Sequence, residues 1–454
     1  MLKPVCHLFS QITRPRLSKT IILGLPLCFL WIPTTQAFTP LSVTFTKIAD
    51  TNTLIPDGNG NFTGFGVGSA VIYNNTIGFI GSGENQTGIY MSTSPGFLTK
   101  VADTNTPIPN DTTNFTGFGL GFFSTPYNFG SLGIQDNKVV FNGYGETGNG
   151  IYTGTDSGML TIIADETTVI PGTSSTFTTF SSTSPDLDQH RVAFWGNDGI
   201  YRGTDPNSIS LIANNQTSIP PNNNNTFAGL FNPSLKGEMV AFNGFFGGQT
   251  EASGIYMGTS PNSLNVVVDT NTLIPQGIGN FRRFGAPALE EGRVAFRGEG
   301  FNFQEGIYLG TNPESLSVIA DNNTFIPNGI GKFINFGNAA FDKDTIAFWA
   351  EGEEGQQGIY LSLNGKLYKV IDLKDSLEGK TLSSLEFASS DFNTSNRGLS
   401  GNSLVFLATF TDNSQGIYQA SIVPEPSTKL GVGTALTLIC FFKLKKGIKR
   451  PSNH

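Results

Sequence analysis

The sequence predicts an all-β fold, a seven-bladed β-propeller of four-stranded antiparallel blades whose ring is closed by the N-terminal strand pairing into the last blade. Three observations carry this: a sevenfold internal repeat, four short strand-like segments in each copy, and an offset of one segment between the chain's two ends.

Gly-Ile-Tyr recurs at Tyr90, Tyr152, Tyr201, Tyr256, Tyr308, Tyr360 and Tyr418, at spacings from 49 (Tyr152 to Tyr201) to 62 residues (Tyr90 to Tyr152). Before each copy stands an apolar triplet ending in Phe: Phe79, Phe141, Phe194, Phe242, Phe296, Phe348 and Phe406. A third segment, usually Ile-Ala-Asp, ends at Asp50, Asp103, Asp165, Asn214, Asp269, Asp321 and Asp372. The fourth is a Phe-x-x-Phe pair, clear at Phe62/Phe65, Phe115/Phe118, Phe177/Phe180, Phe281/Phe284 and Phe333/Phe336. It weakens to Phe227/Leu230 and Leu382/Leu385. Aromatic and β-branched runs separated by Gly, Asn, Ser, Thr and Pro read as strands and turns. A repeat this short cannot cover its own sheet faces, so neighbours must stack and bury Phe against Phe. This gives the 38 Phe a place.

The body opens on an Ile-Ala-Asp strand, Val43 to Asp50, with no three before it, and closes on Gly416-Ile-Tyr418 with no fourth. Together the fragments make one blade. An open solenoid has no use for such an offset; a ring sealed by pairing residues 43 to 50 beside residues 416 to 422 requires it.

Composition narrows the function. All 35 acids lie within residues 38–428, where the ten Lys and Arg at the two ends leave 17 cations, so the body carries −18 although the whole chain carries −8. Such a body repels nucleic acid and anionic membranes. Cys6, Cys28 and Cys440 lie outside it, which excludes disulfides, cysteine–zinc sites and cysteine nucleophiles from the body. His190, the one body histidine, reads as a surface turn residue and leaves no Ser-His-Asp triad. Glu290-Glu291 and Glu353-Glu354 read as solvated loop pairs, and Trp195 and Trp349 as packing residues near strand ends.

In a four-stranded blade the second-to-third and fourth-to-first connections share a face. The former hold Glu84, Glu146, Asp198, Glu251, Glu299, Glu305, Glu351, Glu353, Glu354 and Asp412, opposed by Arg297, so an acidic face is expected. The latter begin Asp50-Thr-Asn52, Asp103-Thr-Asn105, Asp269-Thr-Asn271 and Asp321-Asn-Asn323. These hard oxygen donors make the eight residues candidate calcium ligands. Turn chemistry is the competing reading, since Asp at a strand end forms Asx-turns. No other cofactor is implied.

The ends read as addresses. Residues 1–37 carry a basic start, an apolar run from Ile21 to Ile32 and Thr35-Gln-Ala37, the pattern of an export signal cleaved after Ala37, with an uncleaved N-terminal anchor as the alternative. The propeller is assigned to residues 38–422. Residues 423–454 begin with Pro424-Glu425-Pro426, continue through the apolar stretch Leu430 to Phe442, and end in a basic tail, Lys443 to Arg450. This order resembles the PEP-CTERM sorting signal of Gram-negative bacteria, with Pro424, Glu425 and Pro426 matching its motif. The resemblance implies an exosortase-type processing partner, transient anchoring through the C-terminal helix, and a final location at the cell surface or outside the cell. The body itself resembles uncharacterised exported repeat proteins with such ends. The reading is a non-enzymatic surface or extracellular-matrix protein contacting polysaccharide; the alternatives are a glycan-active propeller enzyme and a calcium-dependent binding module.

Overall fold

The computed structural model describes residues 41–119, 132–180, 183–221, 225–247, 254–387 and 397–423. The described residues form seven antiparallel sheets arranged as the blades of a β-propeller. In chain order their strands run from Gly64 to Asp103 (blade 1), Phe115 to Asp165 (blade 2), Asp186 to Asn214 (blade 3), Phe227 to Asp269 (blade 4), Phe281 to Asp321 (blade 5) and Phe333 to Asp372 (blade 6), with blade 7 made of Ser42–Asp50 and the strands from Ser376 to Val423. Blade 5 shows the plan. Its inner strand runs as Phe281–Phe284 and Ala288–Glu290, followed outward by Arg293–Gly300, Glu305–Gly310 and Ser317–Asp321.

Period-two alternation gives each blade two unlike faces. Phe and Tyr point one way, and Ile, Val and Ala the other. The Phe of the second strand lies directly opposite the Tyr of the third in every blade, as in Phe296↔Tyr308 and Phe406↔Tyr418. Their rings sit 5.8–6.1 Å apart. The first Phe of the Phe-x-x-Phe pair then meets that Tyr edge to face, at 4.9 Å and 90° for Phe281 and Tyr308. Such pairs add roughly 0.5–1.5 kcal/mol beyond the area they bury.

Each of the seven core clusters spans two blades. The expectation of Phe against Phe between blades is corrected here. The aromatic face of one blade packs on the aliphatic face of the blade before it. Phe281, Phe284, Phe296 and Tyr308 of blade 5 pack on Ile255, Val267 and Val268 of blade 4. Branched aliphatics fill the spaces between tilted rings, whereas two ring layers would leave voids.

Two glycine positions permit this packing. A Cβ on Gly298 would stand 2.5 Å from the Phe281 ring, and one on Gly306 would stand 2.6 Å from the Ala320 carbonyl oxygen. The same approach recurs in other blades, which is why Gly-Ile-Tyr keeps its first residue. A register shift between Ile307 and Tyr308, repeated in the other blades, bulges the outer strand and adds twist.

Blade 7 is composite. Ser42–Asp50 is its outer strand and pairs with Gln415–Val423, from Ser42↔Val423 to Asp50↔Gly416. The predicted closure is therefore the observed one. Ile48 and Ala49, together with Val405, Leu407 and Ile417, meet Phe62, Phe65, Phe79 and Tyr90 of blade 1.

Removing residues 41–50 strips the outer strand from blade 7 and opens this seam. At about 2 kcal/mol per buried branched side chain, plus the lost ladder, at least ~5 kcal/mol goes, so the melting temperature should fall by about 6 °C or more. Differential scanning calorimetry, with and without the 41–50 peptide added back, checks this. An unchanged melt would refute the closure.

Candidate functional site

The inner strands end in polar residues that link every blade to the next. Gln135 Nε2 donates to Asp188 Oδ1 at 3.2 Å, and the Gly237 amide donates to Asp188 Oδ2 at 2.7 Å. Lys236 Nζ lies 2.8 Å from Glu290 Oε2, and Arg293 Nη2 donates to Asp344 Oδ1 at 2.9 Å. The Gly401 amide donates to Asp342, the Asn74 amide to Ser400 Oγ at 2.9 Å, and Thr76 Oγ1 to Asn137 Oδ1 at 2.9 Å. These seven contacts form a hoop around the channel at the end carrying the first-to-second turns.

Arg397 crosses inside the hoop. From blade 7 its guanidinium donates to both oxygens of Asp186 in blade 3, at 2.8 and 3.0 Å, and to the Leu235 carbonyl of blade 4 at 2.7 Å. Its own carbonyl accepts the Ile72 amide of blade 1 at 2.8 Å. Burial alone would weaken the charge, but Asp186, Asp188 and Glu290 more than offset it and hold Arg397 further toward its protonated form. At this end of the channel the ion pair joins blade 7 to blade 3. Glu290, expected in a solvated loop with Glu291, is instead buried. The signal for it was available: Gln135, Asp188, Lys236, Glu290 and Asp342 occupy equivalent positions at the ends of inner strands.

At the opposite end lie the connections singled out from sequence. Each strand-end Asp folds into a turn. In blade 5, Asp321 Oδ1 accepts from the Asn323 amide at 2.9 Å and from Thr324 Oγ1 at 2.8 Å, while the Asp321 amide donates to Thr324 Oγ1 at 3.0 Å. The same pattern holds at Asp50/Asn52/Thr53, Asp103/Asn105/Thr106 and Asp269/Asn271/Thr272. Thr three residues after Asp, repeated in the sequence, completes the motif that the Asp-x-Asn reading missed. Each candidate calcium pair sits on its own blade, and among the described residues no three His, Cys, Asp or Glu gather closely enough to hold a metal. Lys47, Lys100 and Lys369 reach back to Asp50, Asp103 and Asp372 at 3.0, 3.3 and 3.2 Å.

The expected acidic face is partly neutralised. Arg297 pairs with Glu305 and Glu299, both at 2.6 Å, and Lys380 pairs with Asp412 at 2.9 Å. Glu84, Glu146, Asp198, Glu353 and Glu354 are exposed; Glu251 lies outside the described residues. Burial, with Asp198 adding to it, pushes the Tyr201 hydroxyl up to about 12, and burial pushes Tyr360 equally far. These tyrosines stay protonated at neutral pH and supply no base.

The sequence reading missed an apolar sector on this face. Leu273, Ile278, Phe301, Phe303, Phe325, Ile330 and Ile334 are exposed, all on connections or strand starts of blades 5 and 6. Ile278 is 81% exposed at a loop tip, and its amide and carbonyl are held by Gln304 at 2.7 and 2.8 Å. Phe303 is 97% exposed at φ 61°, a conformation that costs a bulky residue of order 1 kcal/mol or more. Arg282 lies over the Phe301 ring at 5.9 Å and Lys332 over the Phe325 ring at 5.6 Å. Trp195 and Trp349 pack against core clusters as expected. The sorting motif Pro424, Glu425 and Pro426 lies outside the described residues, as do residues 1–40. Among the described residues no helix is long and apolar enough to cross a membrane.

A family described as "Family of unknown function (DUF7453)" matches residues 40–220 and 148–430. No curated protein matches the chain. Among solved structures, one of two prolyl endopeptidases is 10% identical, with 80% of this chain covered, 50% of that chain and a TM-score of 0.44. The β-propeller domain of the Trilobed protease from Pyrococcus furiosus is 9% identical over 70% of this chain and 100% of that one, with a TM-score of 0.33. The computationally designed Ika8 protein is 10% identical over 82% and 99%, with a TM-score of 0.37.

Arg397→Met should cost about 3–5 kcal/mol, because Asp186 is left buried without its counter-charge. The double variant with Asp186→Leu should recover most of that loss. Urea unfolding of the three proteins checks the cycle, and a single variant within 1 kcal/mol of the parent would contradict it. For the crossover turns, Asp321→Ala should cost ~1–2 kcal/mol through the orphaned amides. Millimolar calcium and chelator should give the same melt. A calcium-dependent rise would instead assign the Asp and Asn pairs to a metal.

Proposed function

The chain belongs to the DUF7453 family of unknown function, and from that premise we propose that it is a non-enzymatic, exported binding protein of the cell surface or extracellular matrix, engaging polysaccharide through blades 5 and 6. The observation that carries this reading is the apolar sector. Leu273 and Phe325 share an exposed turn position with Leu54 and Val169 of other blades, but side chains as large as Ile278, Phe301, Phe303 and Ile330 are exposed in addition here, and such residues normally mark interaction surfaces when they are concentrated in one place. The strained backbone at Phe303 is not explained by packing, because the ring touches almost nothing. Flat rings and aliphatic caps suit the C–H faces of sugar rings, and the Arg282 and Lys332 side chains beside them offer donors to hydroxyls. Rigid strands with variable loops are a common binding arrangement.

Export rests on the sequence of the two ends. The PEP-CTERM-like tail supplies the address, with exosortase-type processing and transient anchoring by the Leu430 to Phe442 stretch. Both described ends of the body leave the ring together, since Ser42 pairs with Val423 at one end of blade 7. They leave at the end of the sheets opposite the apolar sector. A protein tethered by its tail therefore turns blades 5 and 6 away from the tether.

A glycan array probed with calcium and with chelator tests the binding reading. Chelator-insensitive capture without turnover is expected, weakened at least tenfold, about 1.4 kcal/mol, by Phe301→Ala/Phe303→Ala/Phe325→Ala. Turnover, or capture that the triple variant leaves untouched, would overturn it. Intact-mass analysis of the native product should show residues 1–37 and the basic tail removed.

A further inference from the structure

On the face that carries the crossovers, blade 2 holds a cavity of ≈150 Å³ whose lining includes Asp111, Thr147, Asn149, Tyr152, Asp165 and Glu166. We propose that it binds a primary ammonium group, such as the end of a small polyamine or the amino group of an amino sugar. The proposal is independent of the polysaccharide reading of blades 5 and 6.

The cavity arises from an exchange of side chains. Four residues before their Gly-Ile-Tyr tyrosines, blades 1, 5 and 6 carry Gln86, Gln304 and Gln356. Each of these Gln side chains lies over a crossover glycine of its own blade. A Cβ on Gly58, Gly277 or Gly329 would stand 2.4, 2.7 or 2.3 Å from the Gln amide group. Blade 2 reverses both sizes, with Gly148 in the place of the Gln and Asp111 in the place of the glycine. The filling side chain is gone, and a carboxylate lines the space.

Three acceptors on its walls have no partner among the described residues. Only Oδ1 of Asp165 accepts within its turn, from the Thr167 amide at 3.0 Å, Thr167 Oγ1 at 2.7 Å and Thr168 Oγ1 at 2.8 Å. Only Oε1 of Glu166 accepts, from the Asn149 amide at 3.1 Å. Asp165 Oδ2 and Glu166 Oε2 are left open. The third acceptor is the hydroxyl of Tyr152, a residue only 2% exposed that lines the cavity and makes no hydrogen bond. Burial, and then the charges of Asp165, Asp111 and Glu166, hold this phenol above its ordinary pKa, so it stays protonated and offers a lone pair. An ammonium carries three N–H donors, one for each open acceptor.

The ring already uses this position as an ammonium site in other blades. Lys47, Lys100 and Lys369 lie opposite Tyr418, Tyr90 and Tyr360. Their Nζ atoms stand 3.0, 3.3 and 3.2 Å from Oδ2 of Asp50, Asp103 and Asp372. In blade 2 the residue opposite Tyr152 is Ile162, so Asp165 meets no such cation, and Asp111 and Glu166 add two more carboxylates. No Lys, Arg or His lines the cavity, and the exposed acid beside it in the same loop is Glu146. Lys100 of blade 1 is held by Asp103, and Lys138 stands at the far end of the second strand. Among the described residues no three acids gather closely enough to hold a metal. That spacing suits N–H···O contacts of about 2.8 Å spread over the walls rather than an oxygen shell at ~2.4 Å.

Isothermal titration calorimetry of the full chain at pH 7 tests this with putrescine, glucosamine, tetramethylammonium, glucose and calcium. Putrescine or glucosamine should bind, whereas glucose, which has no charge, and tetramethylammonium, which has no N–H, should not. Tighter putrescine identifies a polyamine as the source and tighter glucosamine an amino sugar; either supports the site. Glu166→Gln, at a partly exposed position, should weaken amine binding at least about tenfold through loss of a charged acceptor. Tyr152→Phe should weaken it while leaving the melting temperature unchanged, because the hydroxyl bonds nothing in the ring. Ile162→Lys, which installs the residue that blades 1, 6 and 7 carry, should abolish binding by supplying the ammonium from within. Tetramethylammonium binding as tightly as putrescine, calcium binding tighter than either amine, no amine binding at millimolar concentration, or amine binding unchanged in Glu166→Gln would overturn the proposal.

Discussion

The whole molecule rests on one constraint: a four-stranded blade with two apolar faces cannot cover either by itself. Each blade here has an aromatic face and an aliphatic face, and each face finds its complement only on a neighbour. A linear stack would leave one face of each kind bare at its ends. A ring leaves none, provided the last blade meets the first. The cluster in which Ile48 and Ile417 meet Phe62 and Tyr90 is therefore the interface on which the others depend, because it turns a stack into a closed object. Building that blade from Ser42–Asp50 and Gln415–Val423 lets neither strand fray without opening the seam.

Closure also explains the polar groups that the apolar repeat does not require. Aromatic and aliphatic layers set the distance between blades but resist sliding weakly, since hydrophobic contact has no direction. Directional bonds at the inner strand ends fix the register. The hoop through Asp188, Lys236, Glu290, Asp342 and Ser400 does this at the narrowest radius, where a small slip displaces the outer strands most. Arg397 ties blade 7 to blades 3 and 4 across the middle, so opposite sides of the ring hold each other. A buried ion pair is a weak source of net stability but a strict source of geometry.

The fold was legible because the repeat states it seven times. Each Gly-Ile-Tyr, each Phe of the second strand and each strand-end Asp occupies the position that its copies predict, and the offset at the ends fixed the closure. The direction of packing was less legible. Abundant Phe suggested rings against rings, yet in each blade the rings meet within one face and aliphatics across the gap, which depends on the pleat and not on composition. Least legible were the features by which blades differ. Glu290 reads like a loop acid beside Glu291, and only register separates the buried residue from the exposed one. The Ile278, Phe301 and Phe303 sector is invisible to periodicity because it lies in connections, where apolar residues carry no strand signal.

Repetition and function consequently pull in opposite directions in this chain. What recurs around the ring serves the ring: the strand-end Asp or Asn turn is bonded to itself, the tyrosines are buried and protonated, and the polar inner-strand ends are spent on neighbours. Ligand recognition has to come from departures. Two stand out, and both have backbone or solvent costs that packing does not offset. Blade 5 exposes Phe303 in a left-handed conformation, and blade 3 places His190 where blade 5 uses Gly292. They lie at opposite ends of the sheets, one in a second-to-third loop and one in a first-to-second turn. A ring whose sevenfold scaffold is already satisfied can vary each without disturbing the other, because neither takes part in the contacts that hold blade to blade.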